Sequence, residues 1–385
     1  MLFYPVEYVG LNLVRWEQQP FGLFGWQGII PAKTEKMARK SVDLMLEKLL
    51  NVKEIFSRLD PEKFSNVMDR GLILLIDRII SETATEYMPR VWNGLPGDVK
   101  DEIVVKASIE SNQKFLKLFM QDMQEHIDDV LDIRHMSVTA CVQNKGLMNK
   151  IFQECGDAEM SFIERSGFYF GFLFGIFQMS VYCFYQEPWV LPLCGFIVGW
   201  LTNFLALKVI FRPLEPKNVC GMTMHGLFLQ RQQEVAVTFA RVNCVEILHT
   251  KAMWDAIMTG PLHRNFFAML RTHSIAFTDN LLGGMRTFAI AGMGAQKFND
   301  MKEAVAQKIM EGLPSIIDQS YAYTTDVLDM ENTIQTKLSE LSYSDFEAVL
   351  HPAFEEDEIQ LIIVGAALGL IAGILQQFVL LEYVG

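Results

Sequence analysis

GFYFGFLFGIFQ (Gly167–Gln178) and GAALGLIAGILQ (Gly365–Gln376) are one phrase written twice, with glycine at every fourth position and a closing glutamine. On a helix of 3.6 residues per turn, Gly167, Gly171 and Gly175 share one face, as do Gly365, Gly369 and Gly373. Small residues on one face of an apolar helix let two backbones approach closely, which in lipid replaces the missing hydrophobic drive. The two phrases therefore read as membrane helices that carry packing seams. Gln178 and Gln376 continue the same faces by one turn. At 1.5 Å rise per residue, Gln178 lies roughly 18 Å from Ser166, past the midplane of a bilayer.

Working outward, three stretches are long enough to span a bilayer, which needs roughly 20 apolar residues. They are 166–186, 189–207 and 359–381. Only Gln186, Glu187 and Pro188 separate the first two, so these form a hairpin. That turn carries no Lys or Arg, whereas Arg165, Lys208, Arg212 and Lys217 flank the opposite ends. The positive-inside rule then puts both hydrophilic regions on the cytosolic or equivalent side of a multi-pass protein. The second span has its own small residues, Gly195 and Gly199, followed by Thr202 and Asn203. None of the three stretches contains an Asp, Glu, Lys, Arg or His, which argues against an ion-coupled pump.

The duplication extends beyond the glycine phrases. Gly28, Lys33 and Ala38 match Gly226, Arg231 and Ala236 at a constant separation of 198 (226 − 28), the same as Gln178 to Gln376 (376 − 178). The chain reads as two tandem units. Residues 1–187 hold a loop (1–33), a helical soluble region (34–165) and a membrane helix (166–186). Residues 188–385 hold a membrane helix (189–207), a loop (211–231), a helical soluble region (232–357) and a membrane helix (359–381). The first unit lacks an opening helix, so a natural chain continuing upstream of Met1 is expected. The phrase LNLVRWEQQP is an extra surface stretch in the first loop. Units in the same orientation imply a pseudo-twofold axis along the membrane normal. The expected fold class is an all-α integral membrane protein of two parallel tandem repeats.

The soluble regions follow a 3.6-residue apolar period, with Asp60 and Pro61 as N-cap and first helical residue of one helix. Fifty per cent hydrophobic content with 28 Phe and 21 Met is rich for a soluble chain. A net charge of −13 with no basic block excludes nucleic acid, whose phosphates would be repelled. Six dispersed cysteines form no Cys-x-x-Cys pair and read as free thiols. Asp122, Glu125, His126 and Asp129 share a helix face without metal-site spacing, and no metal or other cofactor is expected. Asp157 and Glu159, like Glu355 to Glu358, read as carboxylates at helix N-termini, where the macrodipole favours them. No nucleophile elbow or triad appears, so no catalytic residue is assigned and the chain reads as a non-enzyme.

Trp26, Lys33 and Arg231 lie in the glycine-centred loops beside the membrane helices. An amphipathic ring suits the headgroup level, and the two cations suit lipid phosphate. Membrane lipids and other membrane subunits, or self-association, are the expected partners.

At GFIVGWLTNFLALKVIFRP, GLFGWQGIIPAK and GAALGLIAGILQ the sequence resembles the uncharacterised membrane-protein family catalogued as domain of unknown function 445, in the tandem form of microbial eukaryotes such as algae. The residues carrying the resemblance are Gly199, Thr202, Asn203, Phe211, Pro213, Pro31, Lys33 and Gln376. Leu229 departs from the pattern where the first copy has Pro31. The resemblance implies a helical fold and this topology; it implies no activity. From the residues, the expected role is a structural or scaffolding component of a membrane assembly. The alternative is a lipid or small-solute transporter using a groove at the repeat axis, lined by Gln178, Gln376, Thr202 and Asn203.

Overall fold

A computed structural model describes residues 3–15, 20–219, 222–283, 286–350 and 352–384. Among them, helices carry the chain, and strands are confined to two short antiparallel hairpins. The chain divides into two compact units, each drawing on both halves of the sequence. The first takes residues 1–49, 138–243 and 331–385; the second takes 50–137 and 244–330.

In the first unit each Phe-x-Pro phrase contains a cis peptide, Tyr4–Pro5 and Arg212–Pro213. A hairpin follows each: β1 (Val9–Arg15) with β2 (Phe21–Trp26), and β3 (Lys217–Val219) with β4 (Met222–Met224). Leu11–Arg15 of the extra stretch belong to β1, a seven-residue strand against three in β3. Both hairpins lead to a glycine folded back on the proline: Gly28 N–H donates to Pro5 O at 2.8 Å, and Gly226 N–H to Pro213 O at 3.0 Å. A Cβ on Gly28 would lie 2.8 Å from the Phe3 carbonyl carbon, and one on Gly226 would lie 2.9 Å from Ile210 O. Only glycine fits such an approach. One turn of helix comes next (Ile29–Ala32 and Leu227–Gln230), and then a 15-residue helix, Thr34–Lys48 and Gln232–Glu246.

Among the described residues, three helices are long and apolar enough to cross a membrane: Gly146–Phe184, Val190–Phe211 and one within Pro352–Val384. The first range holds two helices that meet at a kink, where Gly156 has non-helical geometry (φ −109°, ψ 15°). The second helix continues to Phe211, past the expected end at 207, and stops before Arg212–Pro213. The residue preceding a proline disfavours helical geometry, which accounts for the stop.

In the second unit Asp60 caps the Pro61–Tyr87 helix, its Oδ1 accepting from Glu62 N at 2.9 Å and Lys63 N at 3.3 Å. That helix buries Phe64, Met68, Leu72, Leu75 and Ile79 on the spacing the periodicity predicts. Phe64 packs against Trp254 with ring centroids 5.9 Å apart. The chain then runs through Gly97–Glu110, a π-helical turn Ser111–Leu116, Lys117–Glu125 and Ile127–Val130.

Candidate functional site: the glycine seam and the loops beside it

The second and third apolar helices meet along the glycines. A Cβ on Gly195 would sit 3.1 Å from the Gly369 carbonyl carbon and closer still to its oxygen. One on Gly199 would sit 2.9 Å from the Gly365 carbonyl carbon, and one on Gly373 would sit 2.8 Å from that of Leu191. Backbone touches backbone over more than two turns. At the end of the seam Asn203 Nδ2 donates to Leu361 O at 2.8 Å. A carbonyl already bonded along its helix can take this second donor on its other lone pair.

Gly167, Gly171 and Gly175, the matching stripe on the first apolar helix, have nothing within 4 Å of an added Cβ among the described residues. Phe168, Phe172 and Phe177 around them are 73%, 66% and 70% exposed. Where that stripe ends, Gln178 Nε2 donates to Gln376 Oε1 at 3.2 Å, Gln376 being exposed and Gln178 half-buried. Thr202 is buried, and its Oγ1 has no hydrogen-bond partner among the described residues.

The basic residues of the glycine-centred loops face inward. Lys33 is buried at the end of its one-turn helix, and Trp26 is half-buried at the end of β2. Arg231 is held in a fork: Nη1 donates to both oxygens of Glu159 at 2.9 and 2.8 Å, and Nε donates to Glu234 at 2.8 Å. Partial burial opposes the charge on Arg231, but hydrogen bonds to Glu234 and Glu159 outweigh it and raise its pKa. Glu159 is 4% exposed and lies three residues after the Gly156 kink, in the first turn of the helix that follows it, where it is also the ion-pair partner of Arg231. Sequence reasoning missed this pair, because the only signal was the proximity of both residues to membrane-helix ends. The side chains of Glu355 to Asp357 lie outside the described residues.

In the second unit the acidic face near residue 122 carries a hydrogen-bonded trio. His273 Nε2 lies 2.8 Å from Asp122 Oδ2, and His126 Nδ1 lies 3.0 Å from Oδ1. The Asp122 backbone carbonyl and carboxylate raise the His126 pKa. Glu125 and Asp129 stand on the same segment, where the helix breaks at His126.

These features define a class: an all-α membrane protein whose apolar helices pack through glycine. Over 145 residues, 37% of the chain, it is 23% identical to a protein described as a UPF0754 membrane protein from Synechococcus sp. (strain JA-2-3B'a(2-13)). The matched region is 32% of that protein, so the chain spans about a third of the length of this curated relative. No family model and no solved structure matches the chain.

Proposed function

We propose that the chain is a non-enzymatic scaffold of a membrane assembly, built from two parallel tandem repeats related by a pseudo-twofold axis along the membrane normal. Its helical regions lie on the positively flanked side. The observation that carries the scaffold reading is the contrast between the glycine stripes. One is closed backbone to backbone by a neighbouring helix, and the other, at the same register 198 residues earlier, is open. An open small-residue face on a membrane helix is suited to a further helix. Both 15-residue helices and both one-turn helices starting 198 residues apart (232 − 34 and 227 − 29) support the duplication.

The alternative, a lipid or small-solute transporter, draws support from the Gln178–Gln376 pair, two amides bonded to each other within the apolar helices. Against it, the seam at Gly195 and Gly369 leaves no room for a side chain. Native mass spectrometry of protein released gently from its own membrane tests the choice. A stoichiometric assembly that dissociates with Gly171→Leu supports the scaffold. A lone chain retaining a defined lipid, unaffected by that substitution, overturns it in favour of lipid handling.

A further inference from the structure

Lys33 and Arg231, the cations expected at the headgroup level, are turned inward, which leaves that role to another residue at the end of an apolar helix. On Val190–Phe211 the residues Ile197, Trp200, Phe204 and Lys208 follow at intervals of three and four and share one face. Ile197 is 48% exposed and Trp200 42%, Phe204 is half-buried and Lys208 is exposed. The rings of Trp200 and Phe204 stack with centroids 5.2 Å apart and planes 6° from parallel. Lys208 Nζ stands 5.4 Å from the centre of the Phe204 ring. The face is a flat wall of rings that ends in an ammonium. From Lys208 back to Ile197 the helix rises roughly 16 Å. Half of a hydrocarbon core about 30 Å thick is close to that length, so the wall spans one bilayer leaflet.

Charge and shape select the occupant. Among the described residues no carboxylate pairs with Lys208, whereas Arg212, one turn further, is engaged by Glu347 at 3.4 Å. The contact with the Phe204 ring face leaves the ammonium's charge unneutralised, so an anion is the fitting partner. In lipid, helices approach closely through small residues, as at Gly195 and Gly369, and a wall of Phe and Trp keeps a second helix at a distance. An acyl chain needs no such clearance to lie along the rings. We propose that this face of the Val190–Phe211 helix binds a single anionic phospholipid, with its phosphate on Lys208 and an acyl chain along Phe204, Trp200 and Ile197. A lysine at a helix end runs its apolar stem through the edge of the hydrocarbon and delivers its charge to the headgroups. The site requires only that this helix spans a membrane, and it is compatible with the scaffold. Assembly size tests that reading and lipid selectivity tests this one, so either can fail alone.

Native mass spectrometry of the full chain in neutral detergent, titrated with phosphatidylglycerol or with phosphatidylcholine of the same acyl chains, is the experiment. The expected result is a single phosphatidylglycerol held about fivefold more tightly than phosphatidylcholine, the scale of one lysine beside an anionic lipid. Lys208→Gln, at an exposed position that leaves the packing intact, should remove the difference, and Lys208→Arg should keep it. Trp200→Ala should weaken binding of both lipids. Arg165→Gln, at an exposed cation flanking the first apolar helix, should change nothing. Glycerol phosphate, a headgroup without acyl chains, should not compete. Equal binding of the two lipids, a preference that survives Lys208→Gln or falls equally with Arg165→Gln, insensitivity to Trp200→Ala, or displacement by glycerol phosphate would each overturn the proposal. So would a photo-crosslinking residue at Ile197 that, in the protein's own membrane, yields adducts to protein and none to lipid.

Discussion

The stripes on the first and third apolar helices are equal in spacing and in register, yet one is closed and the other open. Gly369 lies against the Gly195 carbonyl, whereas Gly171 faces nothing within 4 Å among the described residues. A glycine stripe is thus a capacity for close packing, and the neighbour decides whether it is used. The helix supplying Gly195, Gly199 and Asn203 serves the third helix and leaves the first helix's glycines uncovered.

Leucine at each stripe separates the two most sharply. Gly369→Leu drives a side chain into a carbonyl and should cost more than the about 1–3 kcal/mol of ordinary overpacking, because the obstacle is backbone. Thermal unfolding in detergent should then show a large fall in Tm. Gly171→Leu should leave the isolated chain's Tm unchanged; an equal fall in both variants would abolish the distinction between the stripes.

The next test asks what holds the first helix in place of its glycines. Arg231→Ala leaves Glu159 buried without the charge its fork supplies, and breaking a buried pair costs about 3–5 kcal/mol. Because Arg231 is 28% exposed, the low end applies. Denaturant titration should show that loss, and Arg231→Lys should recover only part of it, since lysine cannot reproduce the fork. No change would mean the first helix is held by other contacts.

A smaller effect belongs to Asn203→Leu, which removes the donor to Leu361 at the end of the closed seam. Interhelical hydrogen bonds in membranes average about 0.6 kcal/mol, with a maximum near 1.7. A double-mutant cycle with a second seam position should return a coupling in that range. Smallest of all, Gln178→Leu should shift stability by no more than about 0.6 kcal/mol. If it instead eliminated retention of a defined lipid in native mass spectra, the amide pair would be a binding element and not helix glue.

Much of the architecture was legible in the sequence. Charge-free length marked the apolar helices, and the short Gln186–Pro188 connection marked their hairpin. Asp60 before Pro61 announced a helix start, because an N-cap side chain and a proline without N–H act locally. What stayed hidden depended on distant neighbours. Gly156 takes non-helical geometry and divides the Gly146–Phe184 range into two helices that meet at a kink. Leu11–Arg15 are drawn into a strand by hairpin pairing, with Leu11 opposite Phe24 and Arg15 opposite Gly22. Glu159 stands at a helix start, and its partner Arg231, 72 residues away, shows only in the fold. The open stripe was invisible, because occupancy is a property of the fold and both stripes spell the same pattern.

The backbone contact at Gly195, Gly199, Gly365 and Gly369 also constrains how this sequence can drift. Enlarging any of these residues meets a main chain that no compensating side-chain change can trim, so single-step paths away from glycine are closed at all four positions. Among the described residues, Gly167, Gly171 and Gly175 meet no such barrier. A substitution tolerance map should therefore divide the glycines by whether selection acts on folding of the chain or only on the company it keeps.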